Sequence, residues 1–289
     1  MKKNLASRSF FPFKKIPPVE RTARIRKFLR EIRGYYLKHG RSFAWRNTRD
    51  PYRIMVSEIM LQQTQTNRVR VKYDAFLSAF PDMAALARAP LHAVLAVWQG
   101  MGYNRRAKAL KEAAMIIMER HCGRVPSSPE ELDALPGIGP ATAASIAAFA
   151  FNVPTVFIET NIRAVFIHFF LSNKTRVKDS ELLPLVEQTL DRKNPRLWYY
   201  ALMDYGVMLK KERPELHRKS AHYKKQSRFL GSNRQARGRI VALLAVHRTA
   251  SVRELREWSG LEKEKVEKSL KALLKEGMVA ASGKRYRLP

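Results

Sequence analysis

Two glutamates stand where their side chains could do chemistry. Glu58 lies inside the apolar run Ile54-Met55-Val56-Ser57-Glu58-Ile59-Met60, and the polar run Gln62-Gln63-Thr64-Gln65 follows it. A carboxyl drawn onto an apolar face holds its proton to higher pH, which suits a general acid. The bland alternative is an exposed glutamate or a structural cap. Glu159 stands at the start of a second apolar run, Thr160 to Phe170, where it can be a helix cap or a carboxylate placed for chemistry. Upstream of it, Pro136-Gly137-Ile138-Gly139-Pro140 reads as a tight turn opening a helix. Such a turn offers backbone N–H groups and a helix dipole to an anion. A phosphate grip coupled to carboxylate chemistry is the hypothesis these residues raise.

The elements that must position them are helical. Ile25, Phe28, Leu29, Ile32 and Tyr36 recur at helical spacing over 21–39, and Gly40 ends the run. Asp50-Pro51 predicts a capped start for the helix that carries Glu58. One helix is expected over 83–97 and another over 107–120. Gly100 and Gly102 make a second tight turn between them, followed by Tyr103, Arg105, Arg106 and Lys108. An aromatic beside a basic turn can wedge into stacked bases, or can pack in a helix corner. Ser128-Pro129-Glu130-Glu131 predicts a capping box, and Ala141–Phe151 a closely packing helix. Val156-Phe157-Ile158 reads as a short extended piece, and 180–212 as two helices, the second bearing Met203-Asp204-Tyr205-Gly206. Residues 210–239 form a basic, poorly periodic link that could follow a DNA backbone or merely connect. From Arg239 the pattern restarts as three short helices, the third over 262–275, and a glycine-punctuated hairpin with Lys284, Arg285 and Arg287. That order is the layout of a winged helix, whose partner is DNA or protein.

Composition narrows the partner. The chain has 289 residues, with 55 Lys+Arg against 25 Asp+Glu, a formal net charge of +30. Such an excess calls for a polyanion, nucleic acid before anionic membrane. The 45% hydrophobic content supports a buried core. Cys122 is the only cysteine, so neither a disulfide within the chain nor a cysteine-held metal cluster can form. No apolar run approaches a membrane span, and the N-terminus lacks the apolar core of a signal peptide. A cytoplasmic, nucleoid-associated monomer without a cofactor or a membrane partner is expected.

Several of these segments form one pattern. DPYRIMVSEIMLQQTQ, WQGMGYNRRAKAL and LPGIGPATA, in this order and followed by the Glu159 segment, are spread over much of 40–210. Together they resemble the helix-hairpin-helix (HhH-GPD) DNA glycosylases, and in particular the MutY branch. The resemblance implies an all-α fold of two helical lobes over 21–209; the chain's own pattern adds a basic arm at 1–20, a basic linker at 210–238 and a winged-helix-like domain at 239–289. It implies excision of a base from double-stranded DNA holding a damaged or mismatched pair, adenine before others. Glu58 falls on the glutamate that protonates the base, Glu159 on the aspartate that stabilises the sugar cation, and Asn161 on the asparagine accompanying it. Gln63 and Tyr103 fall on residues that enter the duplex. Gln62, Thr64, Arg105, Pro136, Gly137, Ile138, Gly139, Ala141, Thr142, Lys284 and Arg285 are the further expected DNA contacts. Ala141 occupies the place of a Schiff-base lysine, which implies a monofunctional enzyme. Three departures stand out: Glu159 is one methylene longer than the usual aspartate, the iron–sulfur loop expected after Gly206 is missing, and so is the domain that reads 8-oxoguanine. Rival readings are a glycosylase for uracil or thymine opposite guanine and a non-catalytic lesion-binding protein.

Overall fold

The computed structural model describes residues 18–225 and 228–289. The basic arm expected at 1–20 lies outside them except for its last three residues. In chain order the helices begin with α1 (Pro18–His39), α2 (Pro51–Leu61), α3 (Thr66–Ala79), α4 (Met83–Arg88), α5 (Leu91–Val97) and α6 (Arg105–Arg120). They continue with α7 (Pro129–Asp133), α8 (Pro140–Phe151), α9 (Thr160–Phe170), α10 (Asp179–Thr189), α11 (Pro195–Glu212) and α12 (Glu215–Arg218). The C-terminal part holds α13 (Asn233–His247), β1 (Thr249–Ser251), α14 (Val252–Ser259), α15 (Lys263–Lys275), β2 (Ala280–Ser282) and β3 (Arg285–Arg287). The chain falls into two compact units, one of residues up to Arg41 with Asn152–Lys224, the other of Ser42–Phe151 with Lys225–Pro289.

The first unit is built on aromatic packing. Phe28 of α1 lies edge-on or tilted against Phe166, Phe169, Phe170 and Trp198, with ring centroids 5.0–5.7 Å apart. These rings bring α9 and α11 onto α1. Gly40 stops α1, its N–H bonding to the Tyr36 carbonyl at 2.8 Å. Arg41 then anchors to Asp204 of α11, which is almost wholly buried and accepts from the Arg41 backbone N–H at 2.8 Å and its Nε at 2.7 Å.

The second unit centres on α2, whose Ile54, Met55, Val56, Ile59 and Met60 are fully buried. Asp50 caps this helix by accepting from the N–H groups of Tyr52 and Arg53, with Pro51 at its first position. The single helix expected over 83–97 is instead α4 and α5. Ala89, before a proline, takes ψ 136°, and Pro90 has no N–H to carry the helical ladder onward. Ser128 caps α7, but the carboxylate that answers it is Glu130, not Glu131.

The C-terminal segment of this unit starts sooner than its pattern indicates. α13 begins at Asn233, capped by Ser232, because the polar first turn hides its period. Its Ile240, Val241 and Leu244 are buried, and it packs against α5 and α15. β2 and β3 make the expected hairpin around Gly283 at φ 57°. A third strand, β1, which carries no legible alternation, pairs with β3 to give the order β1-β3-β2.

Candidate functional site

Glu58 projects from α2 onto α8, half-buried, among fully buried neighbours. The Ser145 hydroxyl lies 2.7 Å from Glu58 Oε2 and 2.9 Å from the carbonyl of Thr142. A hydroxyl has one proton and two lone pairs. When Glu58 is ionised, Ser145 donates to it. When Glu58 carries its proton, the carboxyl donates to Ser145 Oγ and the hydroxyl proton turns to Thr142. Ser145 therefore satisfies both states of the carboxyl. Sequence reading missed it, because one serine in an alanine-rich helix carries no signal.

Gln62 ends α2 and turns toward the glycine hairpin, its Nε2 donating to the Gly137 carbonyl at 3.0 Å and to Thr142 Oγ1 at 3.2 Å. The helix carrying Glu58 and the hairpin are thus one piece. Gly137 has φ 75°, and a Cβ on it would come within 2.6 Å of the Ala109 Cβ on α6, so both backbone and packing require glycine. Gly139 faces open space. Ile138 is buried and anchors the loop, while Pro136, Gly137, Gly139, Ala141 and Thr142 remain wholly or partly accessible. The first-turn N–H groups of α8 have no intrahelical acceptor and point where an anion can bind.

Gln63 and Tyr103 share an unusual property: both are non-glycine residues in the left-handed region, at φ 54° and 49°. Such positions cost on the order of 1 kcal/mol or more and persist only when their surroundings enforce them. Arg106 is the enforcer. It is buried, and its Nη1 donates to the carbonyls of Ile59 and Met60 at 2.8 Å, the open end of α2. Its Nη2 reaches Thr64 Oγ1 at 2.9 Å and the carbonyls of Met101 and Gly102. The guanidinium also lies over the rings of Trp98 and Tyr103. Burial lowers its pKa to about 10, which leaves it charged at neutral pH. The sequence places Arg106 among surface cations, yet it is the inward one. Its neighbour Arg105 is exposed and 3.9 Å from Glu276.

In the other unit, Glu159 is the N-cap of α9. Its Oε1 accepts from the N–H groups of Asn161 and Ile162 at 2.8 and 2.9 Å, and Oε2 from Asn161 Nδ2 at 3.1 Å. The extra methylene folds the carboxylate back over its own helix end. Burial raises its pKa, outweighing those bonds and the charge of Arg163, which pull the other way. Tyr199 holds the segment leading to it, donating to the Thr155 carbonyl at 2.7 Å and lying 4.0 Å from the Phe157 ring. Gly206 lets α11 touch α9, because a Cβ there would fall 2.6 Å from both Cβ and O of Asn161. Neither Tyr199 nor Gly206 was legible as a support for Glu159.

Among the other expected contacts, Thr64 is half-buried against Arg106 and Lys284 is exposed on the hairpin turn. Arg285 is drawn back to Glu254 at 3.3 Å and to Thr249. An iron–sulfur cluster needs four thiolates and this chain has one, Cys122, so the residues do not fit such a group. After α11 the backbone is tied back to the segment before α10. Val177 N–H bonds to Lys219 O and Ala221 N–H to Val177 O, both at 2.8 Å, over buried Leu216.

A mostly helical scaffold presenting a glycine hairpin at a helix start, with a carboxylate-bearing helix tied to it, resembles the helix-hairpin-helix glycosylase fold. Two solved structures share it. A thermostable thymine-DNA glycosylase is 26% identical with a TM-score of 0.58, covering 65% of this chain and 88% of that one. A trapped endonuclease III–DNA covalent intermediate is 18% identical with a TM-score of 0.53, covering 72% and 90%. Residues 56–188 match the HhH-GPD superfamily of base excision DNA repair proteins. An adenine DNA glycosylase of Buchnera aphidicola subsp. Baizongia pistaciae is 33% identical over 187 residues, 63% of this chain and 52% of that protein. The chain spans about half the length of the curated relatives it matches.

Proposed function

We propose that this protein is a monofunctional base-excision DNA glycosylase that hydrolyses the N-glycosidic bond of a flipped adenine, paired with 8-oxoguanine or guanine. The observation that carries the reading is the Glu58–Ser145 pair on α2 and α8, bound through Gln62 to the hairpin. Glu58 gives its proton to the departing base as the C1′–N bond breaks and its electron pair leaves with the base. Glu159 opposes the positive charge that develops on the sugar, and water then adds to C1′ with loss of a proton. Ala141, exposed beside the hairpin, has no amine to form a Schiff base, so strand cleavage is not part of the reaction. Relatives named adenine DNA glycosylase support the choice of base.

Two accessory roles belong to the same reading. The α13–α15 segment with its hairpin is a winged helix that adds DNA contacts, Lys284 foremost. The basic residues after α11 serve as phosphate contacts where relatives of the superfamily hold a cluster.

A second reading is favoured by the thymine-DNA glycosylase likeness: removal of thymine or uracil opposite guanine. A panel of labelled duplexes bearing A:8-oxoG, A:G, T:G, U:G and hypoxanthine separates the two. Adenine release from the first two, lost by about a hundredfold or more in Glu58→Gln, is the expected result. Excision of thymine or uracil alone would replace adenine as the substrate, and excision untouched by Glu58→Gln would remove Glu58 from the chemistry.

A further inference from the structure

One exposed apolar tip is not used by this reading of the chain. The turn before α13 presents Phe229 at 58% and Leu230 at 81% exposure. Two adjacent large apolar side chains in water are costly, yet the turn that displays them is held firmly. The Phe229 carbonyl accepts from the N–H of Ser232 at 3.1 Å and from its hydroxyl at 2.6 Å. Gly231, at φ 75°, donates to Gln235 Oε1 at 2.7 Å and accepts from Lys265 Nζ at 2.7 Å. The tip is therefore a fixed projection.

Its neighbourhood is cationic and belongs to the wedge. Arg228 is exposed next to Phe229, and Lys265 lies against Gly231. Arg234, on the first turn of α13, donates from Nη1 to the Tyr103 hydroxyl at 3.1 Å. Tyr103 is thus gripped from two sides, by Arg106 over its ring and by Arg234 at its hydroxyl. An apolar tip flanked by cations matches a duplex, whose phosphates meet the cations while unstacked base faces meet the apolar groups. A protein partner would pair poorly with that rim unless it were strongly acidic.

We propose that Phe229 and Leu230 form a second DNA wedge, registered to Tyr103 by Arg234, that inserts into the duplex and helps unstack the target step. This rests on the DNA-glycosylase reading but adds a residue pair outside the family segment 56–188. The test uses the full chain with Glu58→Gln as background, so that binding and unstacking are read without any excision. A double variant, Phe229→Ala with Leu230→Ala, is compared on two duplexes carrying 2-aminopurine beside the A:8-oxoG pair. One duplex is intact, and the other has a preformed gap at the same step. Both side chains are exposed, so thermal denaturation should be unchanged, and a surface variant, Leu37→Ala, serves as control.

A wedge predicts about a tenfold loss of affinity and a reduced 2-aminopurine signal on the intact duplex. Affinity for the gapped duplex, where stacking is already broken, should change by less than about twofold. Equal affinity and signal on the intact duplex would overturn the proposal, and so would an equal loss on both duplexes, which marks a general surface contact. Failure of the glycosylase reading is seen separately, as absence of base release by the unsubstituted chain over the whole lesion panel.

Discussion

At the scale of single residues, Glu159 is the most informative departure. Its type and its place before an apolar helix were legible, but not its conformation. Three donors from Asn161 and Ile162 converge on a carboxylate that burial still pushes above the ordinary value of 4.5. A carboxyl with a raised folded pKa binds its proton more tightly when folded. Its contribution to stability is complete below the unfolded pKa and is lost as pH rises through the folded one. The charged form therefore costs stability at neutral pH. Glu159→Gln should melt above the parent protein at pH 7 by some 2–4 °C for each kcal/mol relieved. The two should converge near pH 4, while base release falls by roughly a hundredfold or more. Differential scanning fluorimetry across pH, with single-turnover excision alongside, checks both halves. A parent that melts higher at pH 7 would show that the cap outweighs the burial. Ser145 gives the companion test. Ser145→Ala should lower excision about tenfold and move the alkaline limb of the pH–rate profile, where a general acid gives up its proton, because Glu58 loses a hydrogen-bond partner. A uniform fall at every pH would reduce Ser145 to packing.

At the scale of elements, the helices were legible where the apolar period is regular and the caps are strong, as at Asp50-Pro51 and Glu159. They were not where a proline interrupts a good pattern, as at Pro90, or where a polar first turn masks the start, as in α13. The inter-element supports were invisible, since a period says which face is buried and not against what. Gly206 is the clearest case. Gly206→Ala puts a methyl into Asn161 and should cost about 1–3 kcal/mol by overpacking. Excision should fall further than the lost stability explains, because the cap of α9 shifts with Asn161. Arg106→Met removes the donors that close the end of α2 and leaves buried carbonyls unpaired, at about 1–3 kcal/mol each. Urea melts should show a large loss, and the same variant should weaken DNA bending or unstacking through a loosened Tyr103. A stable Arg106→Met with unchanged melting would mean that water replaces the guanidinium at no cost.

At the scale of the whole molecule, the charge is the property read most directly from composition, and its distribution is what only the structure supplies. A formal +30 does not say how many cations meet phosphates. Several are already engaged: Arg41 by Asp204, Arg163 by Asp179, Arg237 by Glu276 and Arg285 by Glu254. Those pairs blunt the field locally, while the hairpin-turn Lys284, Arg228 and the exposed cations after α11 extend it. Each phosphate neutralised releases condensed counterions, so log K falls with log salt by about 0.9 per contact. If the protein uses six to ten contacts, affinity for duplex DNA should drop by roughly 10³–10⁵ between 50 and 200 mM salt. Lys284→Ala should flatten that slope by nearly one contact. Arg285→Ala should flatten it less, because its guanidinium is shared with Glu254 and Thr249. Anisotropy titrations of the three proteins at four salt concentrations decide the matter. Equal slopes for the parent and Lys284→Ala would place the hairpin away from the DNA and leave the hairpin turn at 136–140 and the cations after α11 to carry the phosphate contacts.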